Sequence, residues 1–225
     1  MKQWTWDSRR RVYVDAQGHT LTKGELNADI DEYIENTQED IAKDVAMYTA
    51  GAITLAVLFS QLKDTVESLH GATGAIAYGG LEQMDAEKWA RINERVSTEL
   101  SYLNQFRQDV QAAQASGEAL SAEGITARAS LYAEAGYSQF VSQTSQRESD
   151  NGVSMGRRVC AEDDASCDEC VGAATEEFIP LDEIPDIGSL TCMHNCRCEI
   201  EYEEPLDLVP PDLLIDVNIS QESVQ

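Results

Sequence analysis

Six cysteines in the last third of the chain are the residues with the clearest potential for chemistry. Two groups of thiols about 20 residues apart suit a tetrahedral metal ion, because each group can supply two ligands from one tight turn. The spacing therefore predicts a metal site. In chain order the cysteines are Cys160, Cys167 and Cys170, followed after 21 residues by Cys192, Cys196 and Cys198.

The predicted metal is zinc in a structural role, because tetrahedral sites rich in thiolates favour it. Few large apolar side chains lie between residues 155 and 202. Their burial is too small to offset the conformational entropy lost on ordering about 50 residues, so the module needs a cross-link such as a metal ion. Removing the metal should therefore unfold this module and leave the rest of the chain folded. The predicted ligands are Cys167, Cys170, Cys192 and Cys196, with Cys198, His194 and Cys160 as alternates.

Other interpretations of the cysteines stay open. Cys167 and Cys170 have the spacing of a redox pair, but they lack a strand-to-helix setting and sit among acidic residues that disfavour a thiolate. Disulfides would need an oxidising environment. A catalytic zinc would keep an open position beside a base such as Glu176 or Glu177, whereas the spare cysteines favour a closed site. Without a nucleophile elbow, phosphate loop or dinucleotide fingerprint, we expect no enzyme.

The residues before the cysteines have the pattern of four amphipathic helices. Thr22 and Glu25 form a capping-box pattern before the first helix, Asp85 is a candidate cap for the third, and the fourth follows Ser121. Short links between the helices predict an antiparallel bundle. Apolar side chains recur at helical spacing over residues 26–48, 55–69, 89–110 and 125–140.

The ends of the second and fourth helices are predicted from composition. The glycine-rich stretch 70–80 should fray or end the second helix, with His70 at its end and Tyr78-Gly79-Gly80 as a hinge or tight turn rather than a binding loop. The polar run 142–152 should end the fourth helix.

The predicted fold class is therefore mainly α, with an N-terminal antiparallel helical bundle followed by a small irregular zinc-held module that has short strands. The arm is expected to turn at Gln17-Gly18. The predicted divisions are residues 1–22, an arm or hairpin; 23–150, the helical bundle; 151–203, the cysteine-rich zinc module; and 204–225, an acidic tail.

The charge of the chain narrows the choice of partners. The formal net charge is −25, and residues 161–225 contain 18 acidic residues and one arginine. Such a surface repels phosphates and anionic lipids, so we expect neither a membrane nor a sequence-specific nucleic acid as partner. The one basic cluster, residues 9–11, is expected to be a solvated strand edge. With no signal-peptide pattern and no apolar run long enough for a span, we expect a soluble protein in the cytoplasm.

Several motifs resemble tailed-phage head morphogenesis proteins of the Mu F-like minor head class. They are the Y-x-D-x2-G-x-x-L pattern of Tyr13 to Leu21, AYGG of Ala77 to Gly80, YLNQF of Tyr102 to Phe106, and the Cys167-x2-Cys170 pair followed by CRC at Cys196 to Cys198. Many of those proteins have a proline-histidine pair before CRC, whereas here His194 stands between Cys192 and Cys196.

The resemblance implies a minor capsid protein that acts with the portal protein, the major capsid protein or both during head assembly. Several copies per particle are expected, in the virion head and, during assembly, in the host cytoplasm. The alternative is a zinc-containing acidic module that interacts with host proteins or regulates them. A thiol or metal hydrolase is a third interpretation.

Overall fold

The computed structural model describes residues 4–118, 120–160, 167–191, 196 and 198–203. Within these residues the fold is mainly α, as predicted, with two small antiparallel sheets. The predicted acidic tail, 204–225, lies outside the described residues. The helices are α1 (Lys23–Thr49), α2 (Leu55–Ala77), α3 (Ala86–Ser116), α4 (Ala122–Asp150) and α5 (Asp168–Ala173). The strands are β1 (Trp4–Asp7), β2 (Val12–Asp15), β3 (Thr20–Leu21), β4 (Met155–Val159), β5 (Ile179–Pro180) and β6 (Glu199–Tyr202).

Side-chain caps fix where the four long helices begin. Thr22 Oγ1 accepts the Glu25 N–H at 3.2 Å, and Glu25 Oε2 accepts the Thr22 N–H at 2.8 Å. This reciprocal pair confirms the predicted capping box of α1. Thr54 caps α2, Asp85 caps α3 and Ser121 caps α4, each through one side-chain oxygen and without the reciprocal bond.

The apolar stripes of the four long helices form the core. Helix α4 lies against α1 and α2, and α2 also lies against α3. Gly136 allows α4 to approach α2, since a Cβ there would be 2.9 Å from Leu69 Cγ. The predicted stripe residues that are buried are Leu26, Ile30, Ile34, Ile41 and Val45; Leu58, Phe59, Leu62, Val66 and Leu69; Ile92, Val96, Leu103, Phe106 and Val110; and Ile125, Ala129, Tyr132 and Phe140.

Two expectations about helix ends were wrong. His70 lies inside α2 and is fully buried, although the sequence placed it at the helix end. Helix α4 continues through most of the polar run 142–152 and ends at Asp150. The run stays helical because its inward side chains have polar partners: Gln143 Oε1, for example, accepts a hydrogen bond from the Tyr78 hydroxyl at 2.8 Å.

Arg147 joins the end of α4 to the N-terminal strands. Its Nη1 donates to the Tyr13 hydroxyl oxygen at 2.6 Å, and its Nη2 donates to Glu148 Oε1 at 2.6 Å. The guanidinium lies 3.7 Å from the centre of the Trp6 ring. Arg11, which the sequence placed in a solvated cluster, is half-buried and donates to Glu148 Oε2 at 2.5 Å. The buried carboxylate of Glu148 thus lies between two guanidinium groups.

The three N-terminal strands form one antiparallel sheet in the order β1-β2-β3. The chain turns between β2 and β3 at Gly18, which has a φ of +84°, as expected for the Gln17-Gly18 turn. The sheet packs on the turn after α2, where the Trp6 N–H donates to the Gly79 carbonyl at 3.1 Å. Gly79 has a φ of +98°, and a Cβ there would lie 2.3 Å from Trp6 Cβ. The predicted tight turn is therefore confirmed.

Candidate metal centre

The second sheet, in the order β5-β4-β6, brings the two cysteine segments together. Strand β4 is antiparallel to both neighbours, and Arg158 in β4 pairs with Ile200 in β6, two residues after Cys198. Gly156 lets the strands approach closely, because a Cβ at that position would lie 3.0 Å from the Glu201 carbonyl oxygen. The pairing therefore places the start of β6 beside the end of β4.

Helix α5 positions the first cysteine group. Cys167 is its N-cap residue, and the Cys167 Sγ accepts the N–H of Cys170 at 3.3 Å. Glu169 Oε2 accepts the N–H of Thr191 at 2.8 Å, and these hydrogen-bonding interactions with Thr191 lower the pKa of the Glu169 carboxyl. The chain just before the second cysteine group is therefore held against α5.

Three cysteine sulfurs form a buried cluster. The Sγ atoms of Cys170, Cys196 and Cys198 all lie within 4.8 Å of one another, and all three residues are buried. The Cys170 and Cys196 sulfurs are 3.7 Å apart. A tetrahedral zinc ion with Zn–S bonds of about 2.3 Å places two sulfur ligands about 3.8 Å apart, whereas a disulfide bond is about 2.05 Å long. The separation of the Cys170 and Cys196 sulfurs therefore suits two ligands of one ion, and this cluster could hold a metal ion.

Arg158 lies against the cluster, and the cysteine spacing gave no indication of it. The residue is only 1% exposed. Its Nη2 is 3.3 Å from Cys170 Sγ and 3.2 Å from Cys196 Sγ, and its side chain also hydrogen-bonds Cys198. Its Nη1 donates to the Pro185 carbonyl at 2.7 Å. One guanidinium group therefore contacts all three sulfurs.

The arginine and the sulfurs change one another's ionisation. Burial raises the pKa of the Cys198 thiol, and the hydrogen bond from Arg158 opposes that effect. Burial lowers the pKa of Arg158, but the contacts with Cys198, Cys196 and Cys170 outweigh it, so the pKa of Arg158 lies above its ordinary value. A bound metal ion would likewise favour the thiolate forms and release the thiol protons.

No family model, curated protein or solved structure matches this chain. The resemblance to phage head proteins thus depends on the motifs alone. Among the described residues, no helix is long and apolar enough to cross a membrane.

The cluster contains two of the four predicted ligands and one alternate. Cys170 and Cys196 were predicted as ligands, and Cys198 was named as an alternate. Because Cys198 follows Cys196 by two residues and immediately precedes β6, the sheet pairing brings both of them to Arg158 and Cys170. The spacing alone could not choose between them, since both lie within one short segment.

The remaining candidates lie beside the cluster or outside the described residues. Cys167 is half-buried at the start of α5, and the half-buried Cys160 forms a side-chain hydrogen bond with Cys198. Cys192 and His194 lie outside the described residues. The fourth ligand, and therefore the full predicted set, stays a prediction.

The composition of the cluster bears on the choice between a structural and a catalytic site. Within the described part of the chain, the grouped ligand atoms are cysteine sulfurs, with no carboxylate or imidazole among them. Glu176 and Glu177, the acids considered as a catalytic base, are both exposed after α5. Sulfur ligands in a buried setting are typical of closed structural zinc sites.

Proposed function

We propose that this protein is a structural, non-enzymatic component of a tailed-phage head, with a C-terminal module that a zinc ion holds together. The observation that carries the zinc site is the buried cluster of Cys170, Cys196 and Cys198, whose spacing suits tetrahedral coordination. The fourth ligand comes from Cys167, Cys160, Cys192 or His194. The four long helices form an antiparallel bundle, and this module packs against the bundle.

The zinc site has a structural role because it joins pieces that share few other contacts. Cys170 belongs to α5, whereas Cys196 and Cys198 precede β6. A bound ion would cross-link α5 to the segment before β6 and supply apparent folding free energy on the order of 10 kcal/mol. With only sulfur ligands grouped in the described residues, the site offers no acid or base for hydrolysis.

The role in a phage head is supported by the motifs, and two of them meet in space. Tyr13 begins the first motif, and its hydroxyl donates to the carbonyl oxygens of Ile76 at 2.9 Å and Ala77 at 3.1 Å. Ala77 begins the AYGG motif. We infer that the partner is the portal protein, the major capsid protein or both, with several copies of this chain per particle in the virion head.

The first experiment measures metal in the full chain purified under reducing conditions. We expect about one zinc ion per chain, and its removal by a chelator should increase proteolysis within residues 151–203 while most of the helical signal in circular dichroism persists. Cysteine-to-serine variants at positions 160, 167 and 192, together with His194→Ala, should identify the fourth ligand by loss of bound zinc. Absence of metal from the reduced chain would refute the zinc module.

The second experiment tests the partner with the cognate portal protein. We expect the full chain to bind it, and zinc removal to weaken this binding if the module forms part of the contact. Zinc content without affinity for portal or capsid protein would refute the head assignment. Salt-sensitive binding to basic host proteins would then favour the alternative, an acidic host-interaction module, since the chain carries a net charge of −25.

A further inference from the structure

We propose that Arg158 is a positioning residue of the metal site, whose guanidinium supplies the counter-charge for the sulfur ligands and fixes their orientation by N–H···S hydrogen bonds. The inference rests on the proposed zinc site, and it adds a group outside the predicted ligand set. It concerns how the site is neutralised and held inside the protein.

The surroundings of Arg158 support a partner that is negatively charged. A guanidinium in a buried position is costly unless an anion offsets its charge. None of the described carboxylates forms a salt bridge with Arg158, and its acceptors among the described residues are the cluster sulfurs and the backbone carbonyls of Pro185 and Asp186. A neutral thiol is a weak acceptor, whereas a metal-bound thiolate keeps negative charge and lone pairs. The sulfurs are therefore the counter-ions of this arginine.

The metal site has the complementary requirement. Three or four thiolates around one divalent ion leave a net negative charge in a buried place, which also costs free energy. Arg158 offsets part of this charge from within hydrogen-bond distance of two sulfurs, 3.3 Å from Cys170 and 3.2 Å from Cys196. Groups that hydrogen-bond to metal ligands orient them, and their loss typically weakens metal binding about 10–100-fold.

The neighbouring Arg157 provides a matched control. It lies on the same strand, but alternation along β4 directs it to the other face, where its Nε donates to Glu201 Oε2 at 2.8 Å. Replacing either arginine by methionine removes one positive charge from β4 and keeps a long side chain. Only replacement of Arg158 removes hydrogen bonds to the cluster sulfurs.

The test compares Arg158→Met and Arg157→Met in the full, reduced chain, using Zn²⁺ competition against a chromophoric chelator and the absorption spectrum of the Co²⁺ form. We expect Arg158→Met to lower Zn²⁺ affinity about 10–100-fold and Arg157→Met to change it less than about threefold. The thiolate-to-cobalt charge-transfer band should move to lower energy in Arg158→Met, because thiolates without N–H donors are stronger electron donors. A change of fold alone would not shift the band of the cobalt-bound fraction in this way.

Arg158→Lys keeps the positive charge but lacks the planar guanidinium group. This variant serves as the test if Arg158→Met does not fold. We expect affinity and band energy between those of the parent chain and Arg158→Met. Parent-like affinity and spectra in Arg158→Met, or in Arg158→Lys if the methionine variant is unfolded, would overturn the role of Arg158 and leave the zinc site standing. A parent chain that binds neither Zn²⁺ nor Co²⁺ would overturn the zinc site itself.

Discussion

Replacing Gly79 by alanine should selectively detach the N-terminal sheet from the helices. Gly79 has a φ of +98°, a conformation that costs a residue with a side chain about 1–3 kcal/mol. The added Cβ would lie 2.3 Å from Trp6 Cβ and 3.0 Å from the Trp6 backbone nitrogen. Since these atoms belong to the body of β1, rotation of a side chain cannot relieve the overlap.

The size of the effect follows from what β1 loses when it moves. The hydrogen bonds from the Trp6 N–H to the Gly79 carbonyl, 3.1 Å, and from Gln83 Nε2 to the Trp6 carbonyl, 2.8 Å, would break, at about 1 kcal/mol each. Exposure of Trp4, now 6% exposed, would add about 2 kcal/mol. Together with the backbone strain, we expect a loss of roughly 5–7 kcal/mol in the free energy of unfolding.

Gly117→Ala is the matched control. Gly117 has a φ of +79° at the end of α3, but a Cβ there would meet nothing within 4 Å. We expect a loss of only about 1–2 kcal/mol, from backbone strain alone. Urea unfolding followed by circular dichroism and by tryptophan fluorescence measures both variants. Equal losses in the two variants would show that the close contact between Gly79 and Trp6 does not hold the sheet in place.

Two further substitutions test buried charges elsewhere in the helical part. Burial raises the pKa of the Glu99 carboxyl, and the charge of Arg95 partly opposes this rise. The ionised carboxylate therefore destabilises the fold when the pH is above the pKa of Glu99 in the folded state. This destabilisation disappears once the pH falls below the pKa of Glu99 in the unfolded state. Glu99→Gln should therefore raise the free energy of unfolding at neutral pH by about 1 kcal/mol, and a gain that grew on acidification would contradict this reasoning. Arg147→Met should cost about 3–5 kcal/mol, because it removes one of the two guanidinium partners of the buried Glu148 and the donor to the Tyr13 hydroxyl. Adding Glu148→Gln should recover part of that loss in a double-mutant cycle of urea unfolding, whereas simple additivity would argue against coupling.

The features that sequence reasoning predicted correctly are local ones. The Thr22 and Glu25 capping box needs only residues three apart, and the apolar stripes need only helical periodicity. The end of α4 was missed because its polar run is buried by residues far away in the chain, among them Tyr13, which lies 134 positions before Arg147. No window of sequence around the run contains that partner.

The candidate site shows the same division between local and distant information. Spacing indicated a thiol-rich site and included Cys170 and Cys196, but it ranked Cys198 as an alternate. The position of Arg158 depends on the register between β4 and β6, which only the folded sheet defines. In the sequence, Arg157 and Arg158 look equivalent, yet one faces Glu201 and the other faces the sulfurs.

The bond between Tyr13 and Arg147 also has a consequence for the order in which the chain is made. Strands β1 and β2 leave the ribosome before α4, and Arg147 follows 134 residues after Tyr13. At about 5–20 residues per second, that distance corresponds to a wait of roughly 7–27 s. During this interval the tryptophans of β1 lack the guanidinium that later covers Trp6. Trp6 therefore gains this covering contact only after α4 has been synthesised.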